Sequence, residues 1–232
     1  MDELLQPIDE FVDLGFQMHI RRWNPASQAS DRPAILLVHG LSSNAKTWDA
    51  VGRSLAEKGF QAVAVDQRSH GLSDAVAGGY DFATVTADLN QLLDYLGWQK
   101  VIMVGQSWGG NVMLSFGTNY PNRAVGLVFV DGGFLNVGGG GEAWEEIYER
   151  LMPPPIDGVP IEQMARWMRD AHPDWSEEGI AGTLGNFKHS PDGILSRKLP
   201  IPHHMEIVRH LFEQDPITLY PQIEEPVLIY VA

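Results

Sequence analysis

Three short apolar runs, Ala34–Val38, Phe60–Val65 and Val101–Val104, are rich in β-branched residues and end near Gly or Asp. Continuous apolarity of this kind fits strands buried on both faces of a parallel sheet, where period-two alternation is lost. Two more runs follow, Ala124–Val130 before Asp131 and Val227–Val231. Between them, Thr47–Lys58, Phe82–Leu96 and Asn111–Tyr120 carry helical spacing, clearest in Val85, Leu89, Leu92, Leu93 and Leu96. Strand and helix therefore alternate, which predicts right-handed crossovers and a mostly parallel central sheet with helices on both faces, an α/β fold. The alternation of apolar and polar residues in Phe11–Leu14 and Phe16–Trp23 around Gly15 predicts an antiparallel hairpin at the sheet edge.

The pattern breaks after Asp131. Residues 134–222, rich in Trp, Met, His and Pro, hold helical stretches such as Glu142–Leu151 and Ile161–Ala171 but no strand pattern. The expected organisation is a core domain over 1–133, a mostly helical cap over 134–222, and the core resumed over 223–232. The glycine run Gly138–Gly141 reads as a flexible linker, since neither Lys nor Ser/Thr follows at phosphate-loop spacing.

Composition narrows the partners. The formal charge of −14 repels a phosphate backbone, so nucleic acid is not expected, and a small-molecule substrate is. The absence of cysteine removes disulfides, thiol nucleophiles and thiolate metal sites. MDELLQPIDE lacks the basic and apolar regions of a signal peptide, and no apolar run reaches membrane-spanning length, so a cytoplasmic protein without a membrane partner is expected.

The chemistry concentrates in Gly105-Gln106-Ser107-Trp108-Gly109-Gly110, directly after one predicted strand and before a predicted helix. A serine on so sharp a turn needs small neighbours at positions minus two and plus two, and Gly105 and Gly109 provide them. The helix N-terminus then favours negative charge developing beside Ser107, with the N–H of Trp108 as a natural oxyanion donor. His39-Gly40-Leu41 follows the first parallel strand; the backbone N–H of Leu41 is the second candidate donor, and Gly40 is grouped with Leu41 and Trp108 as an oxyanion and substrate-binding candidate. His39 and His70 read as structural hydrogen bonders rather than catalytic groups.

These pieces together, LLVHG at Leu36–Gly40, VAVDQRSHGLSD at Val63–Asp74, VGQSWGG at Val104–Gly110 and VFVDG at Val128–Gly132, resemble the α/β-hydrolase superfamily, in the branch with a cap inserted after the sixth strand. The resemblance covers nearly the whole chain. It implies a serine nucleophile, Ser107, with no metal and no cofactor. It also implies that Asp66, Arg68 and Ser73 hold the loop after the fourth strand, where Ser69 stands in place of the usual Gly. In the family the catalytic acid follows the seventh strand, or less often the sixth, and the histidine follows the eighth. Asp131 is the candidate acid at the end of the sixth strand. Pro226–Ala232 resembles the seventh, so the resemblance places the histidine and the other location of the acid beyond Ala232, in a missing last strand and helix or in a second chain. The histidines His172, His189, His203, His204 and His210 fall in the cap, a poor platform for a base.

The expected activity is hydrolysis of a carboxylic ester or lactone through an acyl-enzyme. Proline iminopeptidases and carbon–carbon bond hydrolases are similar, and a small-ligand-binding scaffold without turnover is the alternative from another class.

Overall fold

The computed structural model describes residues 6–25 and 32–231. Strands β1 (Ile8–Asp13), β2 (Gln17–Trp23), β3 (Ala34–Val38), β4 (Ala62–Val65), β5 (Val101–Gln106), β6 (Ala124–Val130) and β9 (Val227–Tyr230) form one sheet in the order β1-β2-β4-β3-β5-β6-β9. The pairs from β4 through β9 are parallel, and the β1–β2 hairpin joins antiparallel through β2. Gly15 turns the hairpin at φ +86, in the left-handed region that glycine enters without a Cβ clash.

Alternate residues of the parallel strands feed opposite layers, which explains their uninterrupted apolarity. Leu36 and Val38 of β3 and Val63 and Val65 of β4 pack with α2 (Phe82–Tyr95) and α3 (Trp108–Asn119). Ile35, Leu37, Ala62 and Ala64 pack on the other face with Trp23, Trp48 and α1 (Asp49–Glu57). The predicted helix over 47–58 is a 3-10 turn, Ala45–Trp48, followed by α1. The third predicted helix begins three residues earlier than its apolar spacing suggested, directly after Ser107.

Between β6 and β9 lie α4 (Trp144–Leu151), α5 (Ile161–Ala171), α6 (Glu177–Leu184), α7 (Ile201–Glu213) and the single turn α8 (Pro216–Leu219). The segment is mostly helical and also contains a short hairpin that the sequence pattern did not show, β7 (Phe187–His189) paired antiparallel with β8 (Leu195–Arg197). Three-residue strands are too short to display alternation. The readable signal was the turn Ser190-Pro191-Asp192-Gly193, whose Gly193 sits at φ +72. Small apolar clusters hold the segment together, one around Ile147, Met205 and Val208 and another around Ile156, Met164 and Leu195. Ile207 and Leu211 of α7 instead join the main core, so this helix packs in two apolar clusters. Gly138, in the glycine run, packs so closely on α7 that a Cβ there would collide with the Phe212 carbonyl. No helix among the described residues is long and apolar enough to cross a membrane.

Candidate active site

Ser107 occupies the single residue between β5 and α3, at φ 52 and ψ −122. A side chain with a Cβ adopts such angles only when its surroundings dictate them. Here the Ser107 N–H donates to the Val130 carbonyl at 2.9 Å, and the Ser107 carbonyl accepts from the Gly110 N–H at 2.9 Å. Glycines make the turn possible. A Cβ on Gly105 would collide with the Gly109 carbonyl, and one on Gly109 would lie 2.6 Å from the Val38 oxygen. The sequence marked those two; it did not mark Gly110, whose Cβ would stand 2.5 Å from the Gly133 nitrogen, or Gly132, which abuts the Ser107 carbonyl. Both requirements arise from chain crossings that local sequence does not encode.

The loop after β3 passes directly over this turn. A Cβ on Gly40 would lie 3.1 Å from the Ser107 Cβ and 2.6 Å from Gln106 Oε1, so only glycine lets the two segments approach. Leu41 follows, and with Gln106 it lines a cavity beside the turn. Trp108 opens α3, and N–H groups of a first helical turn have no intrahelical acceptor. Gly40, Ser107 and Trp108 thus come together from two separate loops.

Asp131 lies one residue past the Val130 carbonyl that holds Ser107, at φ 46, with its N–H donating to Tyr230 of β9 at 2.9 Å. Its backbone is therefore tied to the elbow on one side and to β9 on the other. None of the eight histidines hydrogen-bonds the Ser107 hydroxyl among the described residues. His39 is fully buried; Nδ1 bonds the Gly40 carbonyl at 2.7 Å and Nε2 accepts from the Gln67 N–H at 3.1 Å. His70 is similarly engaged, donating from Nδ1 to the Arg68 carbonyl and accepting at Nε2 from the Ser42 N–H. Burial lowers both from the ordinary imidazole value, His70 to about 3, so each stays neutral and structural. His203 bonds Tyr80 and His204 bonds Ser42.

The loop after β4 is built around Asp66. Its carboxylate accepts from the Ala45 and Leu72 N–H groups and meets His19 Nδ1 at 2.7 Å, while Ser73 Oγ donates to its carbonyl. Burial alone would raise this carboxyl, but the hydrogen bonds from His19 and from the Ala45 N–H outweigh it, leaving it below the usual carboxylate range. Arg68 pairs with Asp88 through two hydrogen bonds. Ser69 sits at φ 62, a conformation for which glycine is the easier residue.

A cavity of about 730 Å³ opens beside the elbow, between Leu41, Gln106 and Val130 of the core and Trp175, Thr183 and Asn186 of the α6 region. Asn44 fastens its two walls, donating to the Gly182 carbonyl at 2.8 Å and to Asn186 at 2.5 Å, and Arg53 pairs with Glu178. Trp167 and Trp175 are exposed, whereas Met164 and Met205 belong to the insertion's own clusters. No group of three or more His, Cys, Asp or Glu side chains is placed to hold a metal ion among the described residues.

A parallel sheet with a strained serine between strand and helix, glycines at each crossing and a second loop laid across it defines a nucleophile-elbow α/β architecture. Residues 33–167 match the family model described as alpha/beta hydrolase fold, and the chain belongs to that family. It is 36% identical over 105 residues to an uncharacterized protein of Mycobacterium tuberculosis, covering 45% of this chain and 30% of the relative. It is 33% identical over 111 residues to a bifunctional esterase/perhydrolase of Acinetobacter calcoaceticus, covering 48% of this chain and 39% of the relative. The chain thus spans about a third of the length of these curated relatives. The crystal structure of E-2-(acetamidomethylene)succinate hydrolase superposes with a TM-score of 0.77 at 22% identity, over 97% of this chain and 80% of that one.

Proposed function

We propose that the protein is a serine hydrolase acting on a small carboxylic ester or lactone through an acyl-enzyme on Ser107. The observation that carries this reading is Ser107 itself, held at φ 52 at the head of α3 with Gly40 pressed against its side of the turn. Ser107 Oγ attacks the carbonyl carbon as a base takes its proton; the N–H groups of Leu41 and Trp108 stabilise the oxyanion; collapse expels the alcohol, which regains that proton. Water, deprotonated by the same base, then releases the acid. The cavity between Leu41 and Trp175 receives the acyl group.

The base and its orienting acid reach Ser107 from the β6–β9 side in this reading. Asp131 is placed there as the acid, and the base comes with polypeptide that covers β9, from a further segment or a second chain. The esterase activity named for the Acinetobacter relative supports the ester assignment. A serine rather than an aspartate at the elbow speaks against the epoxide-opening chemistry named for other relatives. A soluble cytoplasmic setting belongs to the same reading, and the charge of −14 disfavours nucleic acid or strongly anionic substrates.

The test is labelling by a fluorophosphonate probe with intact-mass readout, on the protein and on Ser107→Ala. Labelling that disappears in the variant is the expected result. Equal labelling of both proteins, or none in folded protein supplied with the polypeptide covering β9, overturns the reading.

A further inference from the structure

Ser42, the residue after Leu41, has φ 59 and is held from two directions. Its N–H donates to His70 Nε2 at 3.2 Å, and its hydroxyl meets His204 Nδ1 at 2.8 Å. The two partners differ in origin. His70 belongs to the core loop after β4, where its ring also stacks on Trp108 with centroids 5.5 Å apart. His204 belongs to α7 of the inserted segment, 162 residues away in sequence, and is only 9% exposed. Burial lowers its affinity for a proton. A neutral ring has one acceptor nitrogen, and with Nδ1 in that role the Ser42 hydroxyl donates to it.

The neighbouring residue repeats the arrangement. His203 Nδ1 bonds the Tyr80 hydroxyl at 2.7 Å, and that hydroxyl bonds Ser69 Oγ at 2.5 Å. Adjacent helical residues point about 100° apart, so α7 grips two separate core loops at once. The left-handed conformation of Ser42 is unfavourable for a residue with a Cβ, and it persists because these contacts over-determine it. Whatever fixes Ser42 fixes the direction of the preceding peptide groups, including the Leu41 N–H.

We propose that His204 is a positioning residue: through Ser42 it aims the Leu41 N–H at the oxyanion formed on Ser107, and so couples the seating of the inserted segment to catalytic competence. The proposal rests on the serine-hydrolase reading for the role of Leu41. The latch itself, His204–Ser42–His70, is a matter of structure alone, which lets the two fail separately.

The experiment uses His204→Leu, which offers no acceptor; His204→Asn, whose side-chain oxygen replaces Nδ1; Ser42→Ala; and the His204→Leu/Ser42→Ala double variant. Fluorophosphonate phosphonylation of Ser107 is resolved into its maximal rate and its half-saturating concentration. Site-resolved amide exchange is followed in parallel at Ser42, with β5 and α2 amides as internal controls. Loss of the latch lowers the maximal rate roughly ten- to a hundredfold with half-saturation unchanged. His204→Asn restores most of it, and the double variant is no worse than either single one, as expected of partners in one interaction. Exchange at Ser42 accelerates in His204→Leu while β5 and α2 stay protected. Unchanged maximal rates, additive losses, or unchanged Ser42 exchange overturn the proposal. Ser42→Ala, a small change in a loop, gives the answer if His204→Leu does not fold. If Ser107 is unreactive even in the parent protein supplied with the polypeptide covering β9, the hydrolase reading falls, and with it the catalytic role assigned to His204.

Discussion

A residue with a Cβ held at positive φ costs on the order of 1–2 kcal/mol, and Ser69 repays that cost locally. Its hydroxyl accepts from the Val76 N–H at 2.9 Å and meets the Tyr80 hydroxyl at 2.5 Å. This explains how a serine stands where the family resemblance leads one to expect glycine: the backbone at φ 62 still demands what glycine provides, and hydrogen bonds offset the strain. Ser69→Ala keeps the strain and removes both bonds, so it should destabilise by about 1–3 kcal/mol. Ser69→Gly loses the same bonds but relieves the strain, and should cost less. Thermal unfolding of the two variants beside the parent decides it; alanine at least as stable as glycine would show that the hydroxyl is not what holds this loop.

At the scale of elements, α6 matters because it forms the far wall of the cavity, and Asn44 is its principal tie. One side chain caps the 3-10 turn by accepting from the Lys46 N–H and also donates to Gly182 and Asn186 across the cavity. Asn44→Ala should cost about 1–3 kcal/mol of stability. It should also raise KM for a chromogenic ester more than it lowers kcat, because the wall of the cavity proposed to receive the acyl group moves while the elbow does not. Equal losses in both constants would place Asn44 in support of the elbow instead. The parallel strands and the elbow were legible in sequence because continuous apolar runs and the spacing of Gly105, Ser107 and Gly109 are local properties. The β7–β8 hairpin was too short to show a period, and the cavity joins Leu41 to Thr183, a juxtaposition only the fold makes. The close packing at Gly110 and Gly132, and the His204–Ser42 contact, are likewise products of tertiary approach. His204 could be weighed from sequence only as a base; its Ser42 partner lies in another part of the chain.

For the whole molecule, acid is the condition that tests the buried histidines together. His70 titrates near 3 in the fold and near 6.5 when unfolded, and burial lowers His39 and His204 as well. As pH falls below about 6.5 the unfolded chain takes up protons that the native one refuses. The stabilising contribution of His70, complete above that value, is therefore lost toward pH 3 at about 1.4 kcal/mol per pH unit, and His39 and His204 add to the loss in the same direction. Asp66, held below the usual carboxylate range, adds to the loss only at the acid end, while Asp49 and Asp88, raised by burial, oppose it there. Denaturant unfolding should show lower stability at pH 5.5 than at 7.5, and an unchanged midpoint would contradict the neutral, locked state of these rings. The sheet edge makes a second demand on the whole molecule. Leu127 and Phe129 of β6 are buried, yet in β9 Leu228 and Tyr230 are each 62% exposed, and Val227 and Ile229 on the opposite face are exposed too. A parallel strand is normally covered on both faces, and an open apolar edge is a template for pairing. A protein consisting of residues 1–232 should therefore associate as its concentration rises, and Leu228→Lys with Tyr230→Lys should return it to a monomer with the core unfolding transition intact. Sedimentation velocity reads this directly. A parent protein that stays monomeric at high concentration would mean that β9 needs no cover, and a catalytic base proposed to arrive with such a cover would lose its structural basis.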